Sequence, residues 1–254
     1  METDKAYQKL RGGYYTPDGI ADFVVKWAVR SPNETILEPA CGDGRFLRAV
    51  RTRLLGLGAD ECGHAVTGVE LDPVEAEKAR QYGFPIVTGD FFAFCDSVIE
   101  GGRTYDVIIG NPPYVRYQRV DETCRAAAFA LMEKHGFHPN RLMNLWVPFL
   151  LLSCEALGSC GRIGMVVPAE LMQVGYAAEA RAYLASHLDL TLVTFRHLVF
   201  PDIQQEVVLL LGEKGTGRTG IRMACLDGLD DLMEQGLSCL EKAGERPAVS
   251  HGEK

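Results

Sequence analysis

The sequence predicts an α/β fold in which helices cover both faces of a doubly wound, mostly parallel, seven-stranded sheet closed by an antiparallel hairpin. Short apolar runs alternate with segments of helical period from residue 17 to residue 187, as in strands joined by crossover helices. Several of these runs are apolar throughout and do not alternate, which indicates strands buried on both faces. The two last runs are separated only by FPDIQQE (200–206). This connection is too short for a crossover, so they should pair antiparallel.

Each element follows from a local pattern. Thr16-Pro17, an N-cap residue before a proline, predicts a helix from about 17 to 30. Further helices are predicted after Gly44, from Asp72-Pro73, over 140–158 and near 177–187, and a long polar loop over roughly 114–139. The predicted strands lie at 35–41, 65–71, 85–90, 105–110, 161–168, 190–198 and 207–214. A glycine-rich EKGTGRTG segment follows, so we expect one domain over 1–214 and a C-terminal extension over 215–254 that adds one strand and one helix.

Composition narrows the classes of protein. The chain has 254 residues, of which 47% are hydrophobic and 24% charged, which is typical of a globular domain. No apolar run is long enough to cross a membrane, and the polar N-terminal stretch does not resemble a secretory signal. Its eight cysteines are isolated, with no Cys-x-x-Cys spacing. We therefore expect free thiols, a cytoplasmic protein and no metal site.

The net charge of −8 disfavours nucleic-acid binding over the whole surface but leaves a local contact open. Between residues 116 and 141 five basic side chains stand against three acidic ones. A solvated loop and a nucleic-acid contact both fit this pattern. The basic residues are Arg116, Arg119, Arg125, Lys134 and Arg141.

The ends of the first three predicted strands suit an adenosyl group. The first ends in a small-residue turn, Glu38-Pro39-Ala40-Cys41-Gly42-Asp43-Gly44, which lets a ligand approach main-chain N–H groups at a helix start. The second ends in Glu70, which can accept from ribose hydroxyls, and the third in Asp90-Phe91, which can accept from and pack on adenine. Capping of the next helix is the alternative role for each carboxylate. Leu47 stands where a dinucleotide fingerprint has glycine, so a pyrophosphate is not favoured.

The fourth strand runs into Asn111-Pro112-Pro113-Tyr114. Neither proline can donate to a strand ladder, and the residue before each is held extended. The Asn111 side-chain oxygen and the Pro112 carbonyl can then face one small volume, where two neutral acceptors suit an NH2 group. Tyr114 adds a flat face for the ring that carries this group. A rigid turn that ends the strand is the alternative.

With these motifs the sequence resembles the class I S-adenosylmethionine-dependent methyltransferases, and among them the gamma-type, TaqI-like DNA adenine-N6 methyltransferases. The resemblance covers roughly residues 12–214 and implies a Rossmann-like methyltransferase fold. It is carried by YYTP (14–17), LEPACGDGRFL (37–47), GVELDP (68–73), GDFF (89–92), IIGNPPY (108–114), NLWVPFL (144–150), GRIGMVVPAELM (161–172) and VFPDIQQEVVLLL (199–211).

The resemblance implies a role for each matching residue. The cofactor is expected to be S-adenosylmethionine, with Glu70 on its ribose and Asp90 and Phe91 on its adenine. Asn111 and Pro112 would hold the target amino group of DNA. Tyr114 and Phe200 would pack on the two faces of the flipped base. The methionine part would be held by Thr16, Glu38, Pro39, Ala40, Gly42 and Gly44.

Other functions remain open at this stage. NPPY also occurs in ribosomal RNA guanine-N2 and protein glutamine-N5 methyltransferases, and a non-catalytic cofactor-binding subunit of a restriction-modification system is a third possibility. TaqI-like enzymes carry a further domain that reads DNA, for which residues 215–254 are too few. The chain could be part of a larger polypeptide, could receive a recognition subunit or domain in trans, or could have another substrate.

Overall fold

The computed structural model describes residues 15–60, 65–119, 121–200 and 205–245, in which nine strands form one sheet. The strands are β1 Ile36–Glu38, β2 Val66–Glu70, β3 Ile86–Thr88, β4 Tyr105–Gly110, β5 Leu157–Pro168, β6 Asp189–Phe195, β7 Val207–Glu213, β8 Gly220–Leu226 and β9 Gly244–Glu245. Their order across the sheet is β3-β2-β1-β4-β5-β7-β6-β8-β9. The predicted α/β class with a mostly parallel sheet is confirmed, and the sheet has two strands beyond the seven predicted, one of which was expected of the C-terminal extension.

Eight α-helices lie in the described residues. They are α1 Asp18–Ala28, α2 Arg45–Gly56, α3 Pro73–Arg80, α4 Phe91–Glu100, α5 Glu122–Lys134, α6 Trp146–Glu155, α7 Ala178–His187 and α8 Leu229–Gln235. None of the helices in this part of the chain has the length and apolarity of a membrane span.

The sheet is covered on both faces, as the continuous apolar runs predict. Neighbouring residues of one strand belong to different apolar clusters: Ile108 packs with α4, α5 and α6 on one side, and Ile109 with α1 and α2 on the other. The sequence of α6 is almost wholly apolar because Trp146 through Cys154 are all buried. A helix buried all round carries no amphipathic pattern.

β1 to β5 make the parallel half of the sheet. β1 lies between β2 and β4, so the direction of winding reverses there. In open α/β sheets such a switch point leaves a crevice at the carboxyl ends of the strands. This crevice is where eight of the predicted site residues converge.

The other half contains the predicted antiparallel hairpin. β6 and β7 pair antiparallel from Asp189↔Glu213 to Thr194↔Val208, which confirms the argument from the short connection. β7 also pairs antiparallel with β5, so it is inserted between β5 and β6.

The structure corrects the predicted polar loop over 114–139. Half of that stretch is helix α5, whose N-cap Asp121 accepts from the main-chain N–H groups of Thr123 and Cys124. The sequence held the signals of this helix, namely an aspartate before the alanine-rich run RAAAFALM. Only Ala128, Leu131 and Met132 of this helix are buried, so its apolar period is weak.

The C-terminal extension adds to the same sheet. β8 pairs parallel with β6, and β9 pairs antiparallel with β8. α8 rests on α1, where a Cβ on Gly19 would meet the Met233 sulfur at 2.5 Å. Residues 220–245 therefore extend the sheet beyond the predicted seven strands, with the strand and helix expected there.

Candidate active site

A cavity of about 360 Å³ opens at the carboxyl ends of β1, β2 and β4 and at the start of α4. This volume falls in the range typical of small-molecule sites, about 300–1,000 Å³. Eight of the residues singled out in the sequence line it: Thr16, Pro39, Ala40, Gly42, Glu70, Asp90, Phe91 and Asn111. Strands far apart in sequence thus bring Asn111, predicted to hold the target amine, into the same cavity as the residues predicted to hold the cofactor.

The glycine turn after β1 has left-handed backbone at two positions. Gly42 has φ +52° and Gly44 has φ +89°, and the Gly44 N–H donates to the Cys41 carbonyl at 2.8 Å. Gly44 is the N-cap of α2 and does not line the cavity; a Cβ there would lie 2.7 Å from the Tyr82 ring. Gly42 faces the cavity and Gly44 lets the turn pack.

Glu70 joins this turn to the next one. Its carboxylate accepts from the Gly42 N–H and the Asp72 N–H, each at 2.8 Å. Burial raises the pKa of Glu70 above its ordinary value of 4.5, and the two main-chain donors oppose that shift. Each oxygen still has a lone pair for a ligand donor, because a carboxylate offers about four acceptor positions.

Glu38 lies behind the cavity wall. Its side chain is 2% exposed, it is not a lining residue, and no described residue donates to its Oε2. Burial, followed by the negative charges of Asp43 and Glu70, raises the pKa of Glu38 well above its ordinary value. A buried acceptor of this kind is costly unless a donor or a positive charge reaches it.

Asp90 caps a helix and also faces the cavity. One carboxylate oxygen accepts from the Ala93 N–H at 3.0 Å as the N-cap of α4, and the other accepts from the Cys124 thiol at 3.1 Å. Burial and the contact with Asp90 raise the pKa of Cys124 to about 12, so the thiol remains a donor. Phe91 stacks on Phe149 with ring centroids 4.6 Å apart, and both rings line the cavity.

Thr16 and Asn111 are joined by a hydrogen bond between side chains. The Asn111 amide nitrogen donates to the Thr16 hydroxyl at 3.1 Å. The prediction that Thr16 caps α1 is wrong, because Pro17 is the N-cap and no side chain caps the helix. The Thr16 hydroxyl, 3% exposed, instead fixes which way the Asn111 amide faces.

Three further predicted residues do not line the cavity. Pro112 is buried, while the ring of Pro113 reaches the cavity. The Tyr114 hydroxyl donates to the Val166 carbonyl of β5 at 3.1 Å, which fixes the ring beside the cavity. Phe200 is 3% exposed and packs in the apolar cluster that contains α1. Tyr14 of YYTP and residues 201–204, next to Phe200, lie outside the described residues.

Sequence reasoning missed several lining residues. Arg119, Asp121 and Cys124 come from the stretch predicted as loop, and Phe149 from an apolar helix with no polar signal. The cap signature at Asp121 could have revealed α5, but no local pattern shows that α5 reaches back to Asp90. Other lining residues that went unpredicted are Tyr15, Arg45, Val115 and Leu145.

The Eco57I restriction-modification methylase family matches residues 66–200 of this chain. The Type II methyltransferase M.TthHB8I of Thermus thermophilus is 32% identical over 210 residues, which are 80% of this chain and 45% of that protein. The Type II methyltransferase M.AccI of Acinetobacter calcoaceticus is 26% identical over 202 residues, 79% of this chain and 35% of its own length. The chain thus spans less than half the length of these two relatives.

Solved structures share the fold. A class I S-adenosylmethionine-dependent methyltransferase described as putative, from Listeria monocytogenes, has a TM-score of 0.68 at 17% identity and covers 89% of this chain and 69% of its own. A second structure, from Vibrio vulnificus YJ016, is described as a modification subunit of a putative type I restriction enzyme. It has a TM-score of 0.67 at 20% identity and covers 84% of this chain and 47% of its own.

Proposed function

This chain belongs to the Eco57I restriction-modification methylase family, and from that premise we propose that it transfers a methyl group from S-adenosylmethionine to the exocyclic N6 amino group of adenine in DNA. Its fold is the Rossmann-like fold of class I methyltransferases. One observation carries the proposal: Asn111, at the end of β4, lines the same cavity as the glycine turn and Glu70.

The described residues fit S-adenosylmethionine, the cofactor of class I methyltransferases. When bound, this cofactor supplies a methyl group on a positively charged sulfonium. Asp43, Glu70 and Asp90 line the cavity with acidic groups, which favour a cationic ligand. Glu70 would accept from the ribose and Asp90 from the adenine, beside the ring of Phe91. The methionine part would lie against Thr16, Pro39, Ala40 and Gly42, near the buried acceptor of Glu38 and the turn that Gly44 closes.

Asn111 would act on the target amine by orientation. An exocyclic amine on a purine is a poor nucleophile because its lone pair is delocalised into the ring. Two neutral acceptors, the Asn111 side-chain oxygen and the Pro112 carbonyl, would hold its hydrogens and localise the lone pair on nitrogen. The hydrogen bond to Thr16 turns the Asn111 amide nitrogen away from that task, so the oxygen takes it.

The target base must leave the duplex to reach this site. Tyr114 would stack on the flipped base, with its ring held through the hydroxyl by Val166. Phe200, buried next to residues outside the described ranges, would pack on the other face. Stacking of this kind offsets part of the few kcal/mol that unstacking costs.

The partner is DNA, with sequence reading supplied by a further domain or subunit. The chain spans 45% of one curated Type II relative and 35% of another. One structure with the same fold is the modification subunit of a type I restriction enzyme. The acidic net charge of −8 fits a chain whose main DNA-binding surface lies elsewhere.

The test is expression in a host that lacks adenine methylation, followed by mass spectrometry of N6-methyladenine in its DNA. We expect a signal from the unmodified chain and none from Asn111→Ala, while calorimetry shows that Asn111→Ala still binds S-adenosylmethionine. An active Asn111→Ala protein would contradict the mechanism. Methylation of ribosomes or release factor without methylation of DNA would show that the substrate is RNA or protein and not DNA.

A further inference from the structure

A β-turn at residues 140–143 exposes a leucine near the active site. The Asn140 carbonyl accepts from the Met143 N–H at 3.1 Å, and the Asn140 side chain accepts from the Leu142 N–H at 3.0 Å. Arg141 and Leu142 are therefore the corner residues of the turn. Leu142 is 76% exposed, the highest value among the large apolar side chains of the described ranges, whereas its neighbour Met143 is 2% exposed.

Nothing in the turn itself calls for leucine at this corner. Turn corners favour glycine, proline, asparagine and aspartate, and asparagine at the first position already supplies the side-chain hydrogen bond. Burial of Met143 anchors the turn in the apolar core next to α6. The turn is thus anchored by Met143 in the core, while the Leu142 side chain is exposed to solvent.

The turn is joined to the strand end that carries Asn111. The Leu145 N–H donates to the Val115 carbonyl at 2.9 Å, and Arg116 and Asn144 form an antiparallel bridge. The pairing ends at this bridge, because Tyr117–Arg119 form a 3-10 helix. Beyond it, Gln118, four residues after Tyr114, donates from its side chain to the carbonyl of Arg141, the neighbour of Leu142. Four extended residues span at most about 14 Å, which is comparable with the width of the DNA major groove, about 12 Å.

Three exposed arginines lie on the two segments that meet beside the leucine. Arg116, Arg119 and Arg141 are all exposed, and Arg119 lines the rim of the active-site cavity. The Arg141 carbonyl accepts from the Gln118 side chain at 3.5 Å, which holds the two segments together. Guanidinium groups bind phosphates, and an apolar side chain between them can enter the base stack of a duplex.

We propose that Leu142 is a DNA wedge: it enters the base stack of the duplex where the flipped adenine leaves it, while Arg116, Arg119 and Arg141 contact the flanking phosphates. This inference rests on the proposed function, because it assumes a DNA substrate with a flipped base. Leu142 does not line the cavity, so its proposed role is in flipping and not in the chemistry.

The experiment measures initial rates of methyl transfer to two forms of one DNA, native and heat-denatured, from a host that lacks adenine methylation. In denatured DNA the bases are already unstacked, so a wedge is not needed. We expect Leu142→Ala to lower the rate on native DNA about tenfold or more, because part of the unstacking cost is no longer offset. The rate on denatured DNA should stay within about twofold of the unmodified chain's, and Leu142→Met, which keeps the apolar length, should restore most of the loss.

The control is Leu55→Ala. Leu55 is 47% exposed in the last turn of α2, whose first turn lies at the site, and its change should leave both rates unaltered. A Leu142→Ala rate on native DNA equal to that of the unmodified chain overturns the wedge, as does an equal loss on native and denatured DNA. If the unmodified chain methylates neither form, the proposed function itself fails, and that result is distinct from a failure of Leu142 alone.

Discussion

Replacement of Thr16 by valine tests the link between the first helix and the catalytic strand end. Valine keeps the shape of threonine and removes the hydroxyl that accepts from the Asn111 amide at 3.1 Å. Thr16 is 3% exposed, so water does not readily take the place of the hydroxyl. The amide nitrogen of the partly buried Asn111 would then lose this acceptor in the orientation that aims its oxygen at the target amine.

The expected magnitude follows from the cost of that loss. A buried donor deprived of its partner costs about 1–3 kcal/mol, and each 1.4 kcal/mol corresponds to about a tenfold change in rate. This cost falls on the productive amide orientation and not on cofactor binding. We therefore expect kcat to fall about tenfold, with Thr16→Ser close to the unmodified chain because serine keeps the acceptor.

The assay is methyl transfer to duplex DNA at saturating cofactor, together with the cofactor Kd from calorimetry and the Tm of each variant. A lower kcat at nearly constant Kd supports a positioning role for Thr16 toward Asn111. The reasoning is refuted if Thr16→Val raises the cofactor Kd and leaves kcat unchanged, since Thr16 would then serve the cofactor alone. A fall in kcat that Thr16→Ser does not restore would also contradict it.

Three further predictions concern the cofactor turn and the core. Burial raises the pKa of Glu70 above 4.5, so the contribution of Glu70 to the stability of the cofactor-free protein falls as pH rises from about 4.5 through the raised pKa. Cofactor binding needs the ionised carboxylate as an acceptor, so the increase in Tm caused by S-adenosylmethionine should grow over the same pH window. In Glu70→Gln this growth with pH should be absent. Arg162→Met should lower the free energy of unfolding by about 1.5–3 kcal/mol in denaturant titration, because the Glu34 carboxylate loses its ion-pair partner and is left with the N–H groups of Arg30 and Ser31. A loss below about 1 kcal/mol would contradict this. Gly44→Ala should destabilise more than Gly42→Ala in the same titration, since both have left-handed backbone but only the Cβ at residue 44 would meet an aromatic ring, at 2.7 Å; equal losses would show that backbone strain alone decides.

The parallel half of the fold was predictable because its signals are local. Strand β4 lies where the sequence places it, at 105–110, since a buried parallel strand is a continuous apolar run bounded by turn residues. The hairpin of β6 and β7 followed from a short connection. Helix α5 escaped prediction because only three of its 13 residues are buried, which leaves a weak apolar period.

The sequence predicted many of the residues that line the candidate site but not the contacts between them. The sequence alone singles out certain residues by their type and by their place at a strand end. They are Gly42, Gly44, Glu70, Asp90 and Asn111. Their distribution at successive strand ends already implies one shared edge, because parallel strands carry their carboxyl ends to the same side of a sheet.

Only the tertiary structure decided which of these groups touch one another. Thr16 and Asn111 are 95 residues apart and meet through one hydrogen bond, and Cys124 reaches Asp90 from a helix across the cavity. Leu142 is exposed because it lies at the corner of a turn whose next residue, Met143, is buried in the core. Apolar periodicity and turn chemistry act over a few residues and can be read from the sequence, whereas contacts between side chains depend on how whole elements pack, which no local pattern records.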